Sequence, residues 1–169
     1  MQDILIINTG GTFNKIYNKL TGNLDINSSN DTLKDIVKKW LTKLNYISVI
    51  NKDSLDFTNK DRELLLDTIK KSSYTKIVVI HGTDTIDLSA DFIAKNIDNK
   101  TIVFTGAMVP YFIDKVEATA NISLALGYCK LAKSGVYIAI NAVASSYKRV
   151  VKNRELGFFE LKTPKTQNS

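Results

Sequence analysis

Residues 76–85 read Lys-Ile-Val-Val-Ile-His-Gly-Thr-Asp-Thr. The apolar run from Ile77 to Ile80 has no polar alternation, the pattern of a strand covered on both faces. Gly82 then permits a sharp turn. Thr83, Asp84 and Thr85 add two hydroxyls and a carboxylate, and a helical segment follows over residues 87–96. A strand that passes through a glycine turn into a helix is the repeating unit of a parallel sheet. The layout recurs outward in both directions. Residues 4–8 lead into Thr9-Gly10-Gly11-Thr12, and residues 101–104 lead into Thr105-Gly106-Ala107-Met108. Residues 46–50 and 136–141 complete five strand candidates.

Amphipathic segments lie between them. Leu33, Ile36, Val37, Trp40, Leu41 and Leu44 recur at helical spacing, as do Leu64, Leu65, Thr68 and Ile69. Thr58, with Asp61 three residues later, reads as the N-cap of the second helix. A fourth helix is expected over residues 117–132, ended by Ser134-Gly135. The alternation predicts an α/β three-layer sandwich, a mostly parallel sheet flanked by helices on both faces. In such sheets ligands bind at the carboxyl ends of strands, where the strand order reverses. The threonine-bearing motifs fall at those ends. Residues 9–24 are long, polar and glycine-bearing, as in an active-site loop or lid, and residues 163–169 read as a frayed polar tail.

Length and composition bound the class. The 169 residues fit one domain, 1–169, with a sizeable core, and 44% of them are hydrophobic with a mean hydropathy of -0.08. No apolar run approaches the ~20 residues of a membrane span. No basic, then apolar, then small-residue leader pattern opens the chain, so the expected location is cytoplasmic. A single cysteine, Cys129, excludes an internal disulfide and a cysteine-based zinc site, and reads as a small core residue. A single histidine, His81, argues against a multi-histidine metal centre and is all that a serine–histidine triad would have to draw on. Neither a metal nor a cofactor is expected. The net charge of +6 raises nucleic-acid binding, but the lysines are spread over helix faces and mixed with acids. Only Lys148, Arg149, Lys152 and Arg154 cluster, without interleaved aromatics, so no nucleic-acid partner is expected.

The candidate chemistry sits in the turns. The glycines of Asn8-Thr9-Gly10-Gly11-Thr12 let the backbone approach a ligand and present Thr12 at the sheet edge. The same stretch also reads as a plain strand–loop turn or a phosphate cradle, although it lacks the dinucleotide fingerprint and the Walker lysine. In His81-Gly82-Thr83-Asp84-Thr85, Thr83 offers a hydroxyl and Asp84 a carboxylate for an ammonium. Helix capping by Asp84 or Thr85 is the alternative use.

Taken together these motifs resemble the bacterial-type L-asparaginase/glutaminase family. Its two threonine signatures stand here as Thr9-Gly10-Gly11-Thr12 and His81-Gly82-Thr83-Asp84-Thr85, and its Gly-Ala-Met-x-Pro as Gly106-Ala107-Met108-Val109-Pro110. Asp53-Ser54-Leu55-Asp56-Phe57-Thr58 resembles the family's serine-bearing substrate loop. Residues 141–152 resemble the segment ending in its catalytic lysine. The match runs in order through nearly the whole chain and implies the family's Rossmann/flavodoxin-like N-terminal domain.

The resemblance also implies roles. Thr12 is the nucleophile that attacks a side-chain amide carbon, giving an acyl-enzyme and ammonia, and Tyr17 on the flexible loop assists it. Thr83, Lys152 and Asp84 form a second cluster. Ser54 and Asp84 hold the substrate's α-carboxylate and α-ammonium, Ala107 contributes a backbone contact, and the backbone at Gly11 and Gly82 lies against the substrate. A lysine acts as a base near neutrality only where burial or neighbouring cations disfavour its charge. Lys148, Arg149 and Arg154 are the nearby cations in sequence.

The pattern departs from the family at three points. Val109 stands where the family commonly has arginine, and Leu55 where many members have a polar residue touching substrate. The family continues into a smaller second domain that donates an acid across a dimer, whereas this sequence stops soon after Lys152. The expectation is an amidohydrolase acting on asparagine or a related small amide as a homodimer or larger, with Glu155 or Glu160 as candidate replacement acids. The alternatives are a catalytically weak or inactive module that binds an amino acid or assembles with a partner, and an amidotransferase-like subunit working on tRNA.

Overall fold

The structure is a computed structural model that describes residues 3–40 and 43–162. In chain order its strands are β1 (Ile4–Gly10), β2 (Lys15–Tyr17), β3 (Leu24–Ile26), β4 (Asn45–Lys52), β5 (Lys76–Ile80), β6 (Thr101–Thr105), β7 (Gly135–Ile140), β8 (Val143–Ser146), β9 (Val150–Asn153) and β10 (Phe158–Leu161). Its helices are α1 (Asp31–Trp40), α2 (Asn59–Lys71), α3 (Ile86–Ala94) and α4 (Lys115–Leu131). The expected Leu41 contact and the 163–169 tail lie outside the described residues.

Six strands form the main sheet in the order β4-β1-β5-β6-β7-β8. Every pair is parallel except β7 with β8. Side chains alternate along each strand, so one strand feeds two cores. Leu5, Ile7, Ile77, Val79, Ile102 and Phe104 point to the face covered by α2 and α3 through Leu65, Ile69, Ala90 and Ile93. Ile4, Ile6, Val78, Ile80 and Val103 point to the opposite face, covered by α1 and α4 through Leu33, Ile36, Ile122 and Leu126. All seven residues of β1 are buried, which is why its sequence shows no alternation. Each fully buried aliphatic chain contributes roughly 1.5–3 kcal/mol of transfer free energy, and this two-sided burial holds the central strands rigid under the loops that follow them.

β1 sends its chain toward β4 on one side, and β5 sends its chain toward β6 on the other. The strand order therefore reverses between β1 and β5, and the crevice opens there. The second helix starts as its sequence predicts: Thr58 accepts from the Asp61 amide, and the Asp61 carboxylate accepts in return from the Thr58 amide.

Several expectations need correction. Residues 9–24, expected as an active-site loop or lid, contain regular elements. Thr9 and Gly10 extend β1, a 3-10 turn follows at Thr12–Asn14, and β2 and β3 form a hairpin paired Lys15 to Ile26. The strands of this hairpin have three residues each and are partly exposed, too short for a period-2 signal. The fourth helix does not end on a glycine cap; Ala132 is already extended, and Gly135 begins β7. After β7, Asn141 and Ala142 both take positive φ (48° and 62°), a two-residue reversal of the kind that joins antiparallel strands. It produces β8, and the β9–β10 hairpin follows.

Candidate active site

Two glycine turns meet at the crevice. Gly11 has φ 75°, and a Cβ placed on it would lie 2.6 Å from the Cα and N of Gly82. The turns after β1 and β5 therefore touch backbone to backbone, and the residues that follow the touching glycines are Thr12 and Thr83. Only a residue without a Cβ allows this approach. Gly82 is constrained as well, because its own added Cβ would lie 2.6 Å from Cβ and Oγ of Ser54.

Amide side chains hold the first turn. Asn8 is fully buried, and its Oδ1 accepts from Asn14 Nδ2 at 2.6 Å and from the Gly10 amide at 3.1 Å. Its Nδ2 donates to Asn30 Oδ1 at 3.0 Å. Thr9 does not face the site: its hydroxyl donates to the Ile80 carbonyl at 2.8 Å and ties the end of β1 to β5. Thr12 opens the 3-10 turn, half-buried. Among the described residues no hydrogen-bond partner holds the hydroxyl of Thr12 or of Tyr17. Tyr17 lies on β2, 60% exposed, in a groove it shares with Asp31 and Phe112.

The second turn carries a preassembled cluster. Lys152 Nζ, from β9, donates to Thr83 Oγ1 at 2.9 Å and to Asp84 Oδ1 at 2.8 Å. The Lys152 side chain is 13% exposed and Thr83 is buried, whereas the Asp84 side chain is 31% exposed. Register places Lys152 opposite Phe159 in the β9–β10 hairpin. Arg154 joins from just beyond β9, with Nη1 3.2 Å from Asp84 Oδ1 and Nη2 donating to the Asp84 carbonyl at 2.9 Å.

Ser54 is buried beside Gly82. Its Oγ accepts from the Asp84 amide at 3.2 Å, and its carbonyl accepts from Thr85 Oγ1 at 2.7 Å. Thr85 thus pins the Ser54 turn and makes no capping bond, although it stands at the N-cap of α3. Asp84 is likewise committed to cations, so the capping alternative for these two side chains is set aside. Asp53 fixes the turn from its other side by pairing with Lys15 at 2.7 Å. Burial disfavours the Asp53 carboxylate, but Lys15 and the Leu55 amide outweigh it and hold the carboxyl below its usual range. Leu55 is 71% exposed.

Ala107 is buried in the turn after β6. Glu117 organises that turn by accepting from the Met108 and Val109 amides at 2.8–3.0 Å and from Asn141 Nδ2 at 3.2 Å. The sequence reading gave Glu117 only a helix start. An acid in the first turn of the helix that follows the Gly106-Ala107-Met108 turn was the available signal.

His81 is fully buried and packs against Phe57 with ring centroids 4.5 Å apart. Its Nδ1–H donates to the Gly82 carbonyl at 2.8 Å, and Nε2 has no partner among the described residues. Burial pushes its pKa down to about 4, so the ring is neutral and no serine hydroxyl engages it. Cys129 is buried on the sheet-facing side of α4, and burial raises its thiol to about 11, the state of an inert core residue.

A cavity of about 530 Å³ opens beside the cluster, between α3 and the β9–β10 hairpin. Thr83, Asp84 and Lys152 line it, together with Asp87, Asp91, Tyr147, Lys148, Arg154 and Lys162; Thr12, Ser54 and Ala107 lie outside its lining. Among the described residues no group of three or more histidine, cysteine or acidic side chains is arranged to hold a metal, and no helix is long and apolar enough to cross a membrane.

Comparison with known proteins gives one consistent result. Residues 3–168 match the family described as Asparaginase, N-terminal. An L-asparaginase of Thermococcus kodakarensis is 27% identical over 91% of this chain and 48% of its own length. A human 60 kDa lysophospholipase is 42% identical over 34% of this chain and 11% of its own length. Among solved structures, the thermostable L-asparaginase from Thermococcus kodakarensis superposes with a TM-score of 0.82 at 25% identity, over 95% of this chain and 51% of that one. A probable cytoplasmic L-asparaginase from Campylobacter jejuni superposes with a TM-score of 0.78 at 27% identity, over 95% and 53%. The chain spans about half the length of these asparaginases.

Proposed function

The chain belongs to the asparaginase family by its N-terminal domain, and on that premise we propose that it is an amidohydrolase releasing ammonia from L-asparagine or a related small amide. The observation that carries this reading is Lys152 Nζ, 2.9 Å from Thr83 Oγ1 and 2.8 Å from Asp84 Oδ1, on the turn whose glycine touches the turn bearing Thr12. A binding pocket alone has no use for a hydroxyl, an amine and a carboxylate in mutual contact beside a second threonine.

In the proposed reaction Thr12 Oγ attacks the amide carbon, with Tyr17 assisting from the hairpin. The hydroxyl proton passes to the leaving nitrogen, the C–N bond breaks, and ammonia departs from a threonine ester. Water then attacks the ester. Thr83 relays one of its protons to Lys152, Asp84 stabilises the ammonium that results, the ester C–O bond breaks, and the Thr12 oxygen takes up the proton left on the attacking hydroxyl, which frees the product carboxylate. Such general-base assistance contributes roughly 10²- to 10⁴-fold. Ser54 and Asp84 orient the polar end of the substrate, Ala107 contributes a backbone contact, and the backbone at Gly11 and Gly82 forms the floor. Self-association as a homodimer is part of the proposal and is read by light scattering.

Ammonia release from L-asparagine, L-glutamine and succinamic acid at millimolar concentration tests the reading. Release should fall to background in Thr12→Ala and drop by at least about 10²-fold in Lys152→Met. Absence of release from all three substrates, or release unchanged in Thr12→Ala, rejects it. A second reading, a module that binds a small amide without cleaving it, is favoured by one observation: the Thr12 hydroxyl has no base bonded to it among the described residues, and Tyr17 is exposed. Ligand binding without ammonia release would support that reading.

A further inference from the structure

The carboxylate of Asp84 is already engaged by two basic side chains. Lys152 Nζ and Arg154 Nη1 converge on the same oxygen, Oδ1, at 2.8 and 3.2 Å. Arg154 Nη2 also bonds the Asp84 carbonyl at 2.9 Å, so the guanidinium grips one residue at two points. The neighbouring acids are engaged too. Asp53 is paired with Lys15 at 2.7 Å, and Asp91 with Lys95 at 2.6 Å. Asp87 is exposed in the first turn of α3, where the helix dipole already complements it. Leu55, next to Ser54, is 71% exposed and offers no polar side-chain atom.

An α-ammonium entering this site would have to displace Arg154 from Asp84 or sit within a few ångströms of its guanidinium. A carboxylate meets the opposite situation. We propose that the amide this site takes carries a carboxylate and no α-ammonium, an ω-monoamide of a dicarboxylic acid, and that Arg154 is the residue that sets this preference. Arg154 attracts the anion and, by holding Asp84, rejects the amino acid; a repulsive element of this kind creates specificity by weakening the wrong partner. The inference rests on the amidohydrolase reading for the chemistry, but not for the binding preference.

The test uses succinamate and L-asparagine as probes, with dissociation constants measured by calorimetry or ligand-observed NMR and ammonia release followed separately. Arg154 is 65% exposed, so Arg154→Gln leaves the core untouched, which far-UV circular dichroism checks. The wild-type chain should bind succinamate at least about tenfold more tightly than L-asparagine, the scale of one charge-assisted contact. Arg154→Gln should shift the ratio of the two affinities toward asparagine by about tenfold, and where turnover is measurable the same shift should appear in kcat/KM. Equal affinities, tighter asparagine binding, binding of neither probe, or a ratio unmoved in Arg154→Gln overturns the inference. If the binding preference holds but neither probe yields ammonia, the preference stands and the hydrolase reading fails.

Discussion

Replacing Gly11 with alanine tests the contact that brings the two threonine turns together. Two costs add. Gly11 has φ 75°, and an L-residue held there loses roughly 1–2 kcal/mol. The new Cβ would also lie 2.6 Å from the Cα and N of Gly82, whereas carbon contacts relax at about 3.5–4.0 Å. The obstacle is backbone, which no rotamer change moves aside, so the overlap costs a further ~1–3 kcal/mol, as overpacking does. The sum, roughly 2–5 kcal/mol, is a large share of a domain's ~5–15 kcal/mol. It lowers the melting temperature by roughly 4–20 °C at about 2–4 °C per kcal/mol. Gly22 is the internal control: its φ is 74°, but nothing lies within 4 Å of an added Cβ. Gly22→Ala therefore isolates the backbone cost, roughly 1–2 kcal/mol. Urea denaturation of both variants, followed by circular dichroism, separates the terms. Equal destabilisation of the two would refute the claim that the turns after β1 and β5 are in backbone contact. Separation of the turns by about 1 Å should also depress ammonia release about 10²-fold at temperatures where the variant is folded.

Two further outcomes follow from single residues. Burial lowers the His81 pKa from 6.5 to about 4, so the unfolded chain binds the additional proton between those values, and folding stability falls as pH drops through that window. The loss reaches roughly 3 kcal/mol at 1.36 kcal/mol per unit and is complete below about pH 4; denaturant titrations at pH 7 and pH 4.5 should show most of it in the wild type and little in His81→Phe. Gly127 lies in α4, exposed, with nothing within 4 Å of an added Cβ, so Gly127→Ala should stabilise by about 0.5–1 kcal/mol, and a melting temperature at or below wild type would contradict an ordinary helical backbone there.

The sequence by itself determined the layers. Continuous apolar runs at 4–7, 77–80 and 102–104 identify strands buried on both faces, because a strand packed by helices above and below has no polar side to alternate with. The Thr58–Asp61 pair marked a helix start to the residue, since its hydrogen bonds are local. The threonine motifs at strand ends, and the family they resemble, located the crevice. What the sequence left out were contacts between distant segments. The β2–β3 and β9–β10 hairpins escaped because strands of three or four partly exposed residues carry no readable period. Thr85 looked like a helix cap, yet its hydroxyl bonds the Ser54 carbonyl 31 positions away, a choice among acceptors that only the packed loops make available. Arg154 read as one member of a basic cluster. Tertiary structure decided that it shares with Lys152 the carboxylate of Asp84, 70 positions earlier in the chain, because charge pairing depends on which groups folding brings within about 3 Å and not on their order.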